Sequence, residues 1–319
     1  MAIYSNRIVI SISKTGVGPW LRITNSQNIP TQTGLQVMWQ VPINTLQARL
    51  PSLNSDLSNL RFVYNGQYIP AWLESINNGT ATIWIKMPVS IPANSSITLN
   101  LYANPGLNFD GVYWGEAPQL SSTYGQYDNG ASMFNFYDNF AGTSLNTNKW
   151  NLYWTAIINN GLLLNSTQAI TVVSTLTFGI SILDFYGYFT ASPNVGYWDW
   201  QGWKPPSNSG NNGNAWFTHN GYNYYGYGYI NSSDTPIITY TSTNAGSSPN
   251  YVFSIANDGN NAHYLLNYNV QSTTYAMGNA TNYIQFNNGG NNSSSIVFIH
   301  WVRVRAYPPN GVMPTVELV

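Results

Sequence analysis

Carboxylates are the first place to look for chemistry, and this chain has few: three Glu and eight Asp in 319 residues. Cleaving a glycosidic bond takes two, one acting as acid and one as base or nucleophile at a fixed separation. On a β-strand such a pair must occupy alternate positions to reach one face. Between residues 134 and 307 there is no Glu, and Asp138, Asp184, Asp199, Asp234 and Asp258 fall on separate segments. No strand pairs two of them, which argues against a glycosidase and for a non-enzymatic chain. His219, His263 and His300 share no metal-ligand spacing, and His300 lies in an apolar strand as a structural histidine would. With no Cys, disulfides, thiolate metal sites and thiol nucleophiles are all removed. "NDGNN", residues 257–261, has oxygens that calcium could use, but reads better as a turn between two strands. No cofactor and no metal are expected.

Aromatic side chains stand where charge is missing. In "NGYNYYGYGYI", residues 220–230, Tyr225, Tyr227 and Tyr229 alternate with Gly226 and Gly228, after Tyr222 and Tyr224. A strand would line one face with the three rings and leave the other as bare backbone, open to close approach. "GYWDWQGW" places Trp198 and Trp200 on one face, with Trp203 just beyond. Such rings can pack a sheet through cross-strand pairs. They can also form a subunit interface, where Tyr and Trp are enriched and charges depleted. As a third possibility they stack on sugars while Asn and Asp bond the hydroxyls. The balance favours packing over subunit contact, and subunit contact over sugar.

The elements that hold these residues read as strands. "RIVISIS" puts Ile8, Ile10 and Ile12 on one face, and "LQVMWQVPI", "ATIWIKM" and "SITLNLYA" alternate in the same way. Asn65-Gly66 and Asn78-Gly79 supply tight turns between such runs. No window keeps a helical period, so the expected fold class is all-β, two sandwich or jelly-roll domains in tandem. An N-terminal strand segment (1–18) precedes a first domain (19–106), a Gly/Pro/Ser/Asn-rich linker (107–133), a second domain (134–307) and a C-terminal tail (308–319).

Residues 60–106 resemble the core of a domain-of-unknown-function family found in archaeal and bacterial surface proteins. The resemblance rests on Leu60-Arg61-Phe62, Trp72-Leu73-Glu74, Trp84 with Lys86, and the closing Leu101-Tyr102-Ala103-Asn104-Pro105. It extends over about residues 19–106, and the chain departs at Ala103 from the Tyr-Tyr-Gly-Asn type turn with which the family usually closes. "FNFYDNFAGTSLNTNKW" and "VFIHWVRVRAY" are similar to the first and last strands of concanavalin-like jelly rolls. The resemblance implies a non-catalytic module displayed outside the cell.

Composition narrows the partners. Charged residues make up 7% of the chain, the net charge is −1, and 44 Asn, 31 Ser and 26 Thr supply the polarity. A nucleic-acid partner needs a basic field that is absent here. No run approaches the roughly 18 apolar residues of a membrane span. Residues 1–16 alternate instead of forming a continuous apolar core, so they read as strand and not as a secretory leader. With few groups to titrate, stability is expected to depend weakly on pH, as suits an acidic exterior. Sequons at Asn78, Asn94, Asn165, Asn231, Asn279, Asn291 and Asn292 are no more than chance gives in such a chain. The reading that joins these features is an extracellular structural protein of an archaeal virion surface. It would contact copies of itself or other surface proteins, with Ile8, Ile10 and Ile12 as a strand that could be donated. An archaeal filament subunit assembled by strand exchange and a carbohydrate-binding adhesion module with cell-surface glycans as ligands are the alternatives.

Overall fold

The computed structural model describes residues 18–166, 168–190, 199–206, 213–219, 223–229, 237–244, 250–275, 281–289 and 296–319. The donated-strand candidates Ile8, Ile10 and Ile12 lie outside them, as do Trp198, Tyr222, Asn231, Asn279, Asn291 and Asn292. The chain divides into two compact units, one running up to Gly115 with Met313–Val319 added, the other Glu116–Val312.

The first unit opens with β1 (Trp20–Asn25), β2 (Gln36–Pro42), β3 (Leu60–Tyr64), β4 (Gln67–Ile69), β5 (Ala71–Asn77), β6 (Thr80–Lys86), β7 (Ser95–Ala103) and β8 (Trp114–Glu116). One sheet has the order β2-β6-β5-β8; β2 alternates as the sequence implies, while the middle of β6 and the first half of β5 are buried on both faces. Val37, Trp39 and Val41 of β2 point inward with Ile83 and Ile85 of β6. Trp39 meets Phe62 of β3 edge to face, at 6.4 Å, which ties this sheet to the second one of the unit. The strand expected to run through Ile43 stops at Pro42, and Ile43–Arg49 forms a short helix, α1, with Leu46 buried. Seven residues are too few to show a helical period against a strand pattern that ends at the same place.

Residues 107–133 are not a bare linker. They carry β8, which pairs with β5 in the sheet, and a four-residue helix, α2 (Gly130–Met133). Trp114 is fully buried and donates its Nε1–H to the Leu57 carbonyl at 2.8 Å. A segment anchored by one inserted ring needs no periodicity, so composition alone suggested a loop.

The second unit follows with β9 (Phe136–Asp138), β10 (Trp150–Tyr153), β11 (Ile157–Ile158), β12 (Leu162–Asn165), β13 (Thr171–Phe178), β14 (Ser181–Thr190), β15 (Asp199–Lys204) and β16 (Gly213–His219). Then come β17 (Asn223–Tyr229), β18 (Ile237–Asn244), β19 (Tyr251–Asn257), β20 (Asn261–Leu266), β21 (Asn269–Tyr275), β22 (Asn282–Asn288) and β23 (Ile296–Ala306). They build a sheet ordered β10-β13-β22-β15-β16-β17-β18 and another ordered β11-β12-β23-β14-β19-β20-β21, with β9 also beside β23. The core lies between them, Trp150, Trp203, Trp216 and Phe286 meeting Phe185, Phe189, Phe253 and Tyr264. Polar groups cross it in pairs. Trp203 Nε1 donates to the Ile255 carbonyl at 3.2 Å, Trp216 Nε1 to that of Ser254 at 3.0 Å, and Asn214 Nδ2 to Tyr264 Oη at 3.1 Å. Buried indole and amide groups thereby keep partners they would otherwise lose on leaving water.

The chain ends in β24 (Thr315–Leu318), which returns to β1 of the first unit and completes a sheet ordered β24-β1-β7-β3-β4. Residues expected as a tail are therefore part of a sheet, with Leu318 opposite Leu21 and Val316 opposite Ile23. A four-residue alternation is too short to stand out in a sequence. The described chain is all-β apart from α1, α2 and a single 3-10 turn.

Candidate functional site

The strongest concentration of charge lies on the face of β14 and β23 that turns away from the core. Asp184 of β14 is fully buried and faces Arg303 of β23 across the ladder. Arg303 Nε donates to Asp184 Oδ2 at 2.8 Å, and Arg305 Nε donates to the same oxygen at 2.7 Å. Burial pulls the Asp184 carboxyl upward, and Arg305 and Arg303 beside it more than reverse that, leaving it below the usual carboxylate range. An acid so held is ionised and fully engaged, with no proton to give and no free face for a substrate.

A stack of flat groups surrounds this pair. His300 of β23 lies where the register with β14 shifts, so that the strand carries one extra residue. A bulge of this kind turns two consecutive side chains to one side. His300 and Trp301 accordingly bracket Tyr186, with ring centroids at 5.4 and 5.6 Å and planes inclined by 27° and 21°. The guanidinium of Arg303 continues the stack, 4.7 Å from the Trp301 ring and 4.6 Å from that of Phe134, which itself stacks on Tyr137. At the other end Tyr124 approaches His300 at 6.4 Å and donates its hydroxyl to the His300 carbonyl. Gly187 makes the bulge possible, since a Cβ there would stand 1.9 Å from the Phe298 carbonyl oxygen.

His300 accepts a hydrogen bond from Asn250 Nδ2 at 3.2 Å, and burial lowers its pKa to about 4. It is a neutral, packed imidazole, in keeping with the structural role its apolar strand suggested. In this stack the faces of Tyr186, Trp301 and Phe134 are spent on one another and on Arg303. A sugar needs an open ring face, so these rings are fitted for rigidity and not for stacking a saccharide.

Three further acids of the second unit, among the described residues, are engaged as well. Asp138 accepts from Trp150 Nε1 at 2.7 Å and from the Phe140 amide at 3.0 Å. Asp128 holds Tyr137 Oη at 2.6 Å and Asn139 Nδ2 at 2.8 Å. Asp258 closes the β19–β20 hairpin, accepting from the amides of Asn260 and Asn261 and facing His263 Nε2 at 3.1 Å. Partial burial raises the Asp258 carboxyl, but the two amides and His263 outweigh it and leave its pKa below the ordinary value. "NDGNN" is thus a hairpin turn, and the described residues hold no cluster of metal-ligating side chains.

The aromatic candidates separate. Trp203, one of the rings weighed as packing, subunit interface or sugar platform, is a core residue, 1% exposed, because its β15 position faces the opposite sheet. Trp200 sits on the other face and packs over Gly213, where a Cβ would meet its ring at 2.2 Å. β17 pairs with β16 so that Gly226 and Gly228 stand opposite the buried Trp216 and Asn214. Tyr225, Tyr227 and Tyr229 share register positions with Phe217, Ala215 and Gly213, and Tyr224 with Thr218. The rings of these tyrosines lie outside the described residues. Of the sequons, Asn78, Asn94 and Asn165 are exposed.

In the first unit the residues that carried the family resemblance are structural. Trp84 Nε1 donates to Glu74 Oε2 at 2.7 Å inside the sheet. Arg61, 3% exposed, donates to the Leu60 and Asn108 carbonyls and to Asp110 Oδ2 at 3.1 Å, which pins the segment after β7 to β3. Its burial lowers the guanidinium pKa from the free value, against the opposing pull of Asp110. What the sequence did not reveal is the Asp184–Arg303–Arg305 group. Its only signal is the alternation Arg303-Val304-Arg305 in an otherwise apolar strand.

Residues 56–108 match the model of a domain of unknown function, DUF2341. Over 182 residues, 56% of this chain, the sequence is 35% identical to "Uncharacterized protein 562" of Sulfolobus islandicus rod-shaped virus 1. The match spans 28% of that protein's length. Among solved structures, the catalytic domain of an endo-1,3-beta-glucanase (laminarinase) from Thermotoga petrophila aligns with 54% of this chain and 97% of its own, at 11% identity and a TM-score of 0.43. A Bacillus licheniformis beta-glucanase aligns with 54% of this chain and 97% of its own, at 12% identity and a TM-score of 0.41. Neither likeness brings chemistry to this chain.

Proposed function

We propose that this chain is a non-enzymatic structural protein exposed on the surface of an archaeal virion. The observation that carries the non-enzymatic half is the engagement of Asp184 by Arg303 and Arg305 in full burial. Asp138, Asp128 and Asp258 are likewise committed to holding rings and turns. The viral half is supported by the 35% identity to a protein of a Sulfolobus virus. Few titratable groups, with polarity supplied by Asn, Ser and Thr, suit a particle exposed to an acidic exterior.

Copies of the same chain or other virion proteins are the partners in this reading. Donation of the strand around Ile8, Ile10 and Ile12 is one route to such contacts. Deleting residues 1–14 tests it, since a donated strand is needed for assembly but not for the fold of the rest. A truncated chain that unfolds as a monomer removes the donation idea. For the non-enzymatic half, incubation with a broad panel of polysaccharides is expected to release no reducing sugar. Turnover that disappears in an Asp184→Asn or Asp138→Asn variant while the fold persists would overturn it.

A further inference from the structure

The edge of the second unit formed by β10 carries an uncovered apolar run. In "WNLYWTAII", residues 150–158, Trp150 is buried, but Leu152, Tyr153, Trp154 and Ile157 are 40%, 58%, 67% and 50% exposed. β10 ends one sheet and β11 ends the other, so this stretch crosses the open side of the sandwich. β10 pairs with β13 on one side, and no described strand lies on its other side. The backbone groups of β10 that point away from β13 belong to Trp150 and Leu152; the Trp150 N–H is taken by the Asn146 carbonyl at 3.0 Å, which leaves the N–H and C=O of Leu152 with no described partner.

Natural sheets blunt such edges with charge, proline or a bulge. Here no charged residue and no proline occurs between Lys149 and Asp184. Lys149, at the start of the strand, is engaged elsewhere, its Nζ donating to the Tyr137 carbonyl at 2.7 Å. Trp154 adds a second sign. Its φ is 71°, a left-handed conformation that costs a bulky residue energy, and it holds an indole out toward water.

We propose that β10 and the Leu152–Ile157 run form a contact between two copies of this chain, the β10 edges pairing strand to strand with the rings closing over them. The proposal rests on the structural-protein reading above. A second copy meets all the requirements of the edge at once: a strand supplies matching donors and acceptors, which a saccharide does not. An uncharged edge also meets its own copy without repulsion or the desolvation of charge. Judged from the area that such side chains bury, the four exposed residues offer on the order of 500 Å² per copy. Doubled, that falls somewhat short of the roughly 1,200–2,000 Å² of a stable pair. The contact is therefore weak between two free chains and strong only when repeated in an assembly.

The test uses the full chain, in sedimentation and light scattering across a concentration series, with thermal melts alongside. Trp154→Gly relieves the left-handed backbone, so its melting temperature is expected to hold or rise while self-association weakens at least tenfold. Tyr153→Lys, which places a charge on the edge, is expected to abolish association. The chain has no Cys of its own. Single substitutions Asn151→Cys, Leu152→Cys and Tyr153→Cys then give, on oxidation, a covalent dimer at the position nearest the two-fold axis and none at a control site such as Asn260→Cys, exposed in the β19–β20 hairpin. Association undiminished in Trp154→Gly overturns this contact and leaves the structural-protein reading intact. A wild-type chain that stays monomeric at millimolar concentration also overturns it, as does a Trp154→Gly variant whose only loss is binding to a polysaccharide.

Discussion

Asp184 and Arg303 face each other across β14 and β23, with both side chains at 0% exposure and the Arg303 Nε–H aimed at Asp184 Oδ2 over 2.8 Å. Arg305 donates to the same oxygen, so one carboxylate holds two guanidinium groups on one face of the sheet. Removing one member of a buried ion pair leaves an uncompensated charge, at a cost of about 3–5 kcal/mol. Asp184→Asn is accordingly expected to lose stability on that scale in denaturant titrations. A loss under about 1 kcal/mol, as at exposed pairs, means that water reaches the group.

The close approach of Gly187 to the β23 backbone leads to a second prediction. Gly187→Ala has to move the Phe298 carbonyl or open the bulge, since the added carbon would lie 1.9 Å from that oxygen. Overpacking against backbone costs about 3 kcal/mol or more where nothing can yield. Loss of soluble protein, or a large drop in melting temperature, is the expected outcome. Gly79→Ala makes a useful comparison, because its Cβ would meet nothing within 4 Å and only its φ of 75° opposes the change.

These two sites mark where the sequence was legible and where it was not. Alternation along "ATIWIKM" and "RIVISIS"-like runs is a local property, and β6 emerges where that pattern lies. Asn65-Gly66 and Asn78-Gly79 form the turns their types demand, with positive φ at all four residues. The bulge at His300 depends on which strand lies beside β23, and β14 is more than a hundred residues away in the chain. The role of Trp203 stayed open among packing, interface and sugar for the same reason, since nothing local says which face of β15 meets the opposite sheet. β24 needed a partner, β1, from the other end of the chain.

The pH dependence follows from His300. Its folded pKa of about 4 lies below the ordinary 6.5, so between those values the unfolded chain binds a proton that the folded chain does not. Stability from this group is full above pH 6.5, falls as pH drops toward 4, and changes no further below that. Asp184, with its pKa depressed, contributes stability that is lost only at lower pH still. The melting temperature should therefore decline modestly from pH 6.5 to 4, and His300→Gln should flatten that decline. An unchanged slope in the variant assigns the effect to other groups.

The proposed exposure on a virion bears on the sequons. Asn78, Asn94 and Asn165 are exposed, and the first two sit at turns with φ near 49°. Peptide mapping of native material is expected to find glycan on at least one of them. Unmodified asparagine at all three, with full peptide coverage, would mean that the chain never meets the glycosylation machinery.

Immunogold electron microscopy of native particles, with antibody raised against the folded chain, tests the central claim most directly. The account predicts label along or at the ends of intact, purified virions, removed when surface proteins are stripped. Label confined to the host cytoplasm or to host filaments, with bare particles beside it, would contradict it.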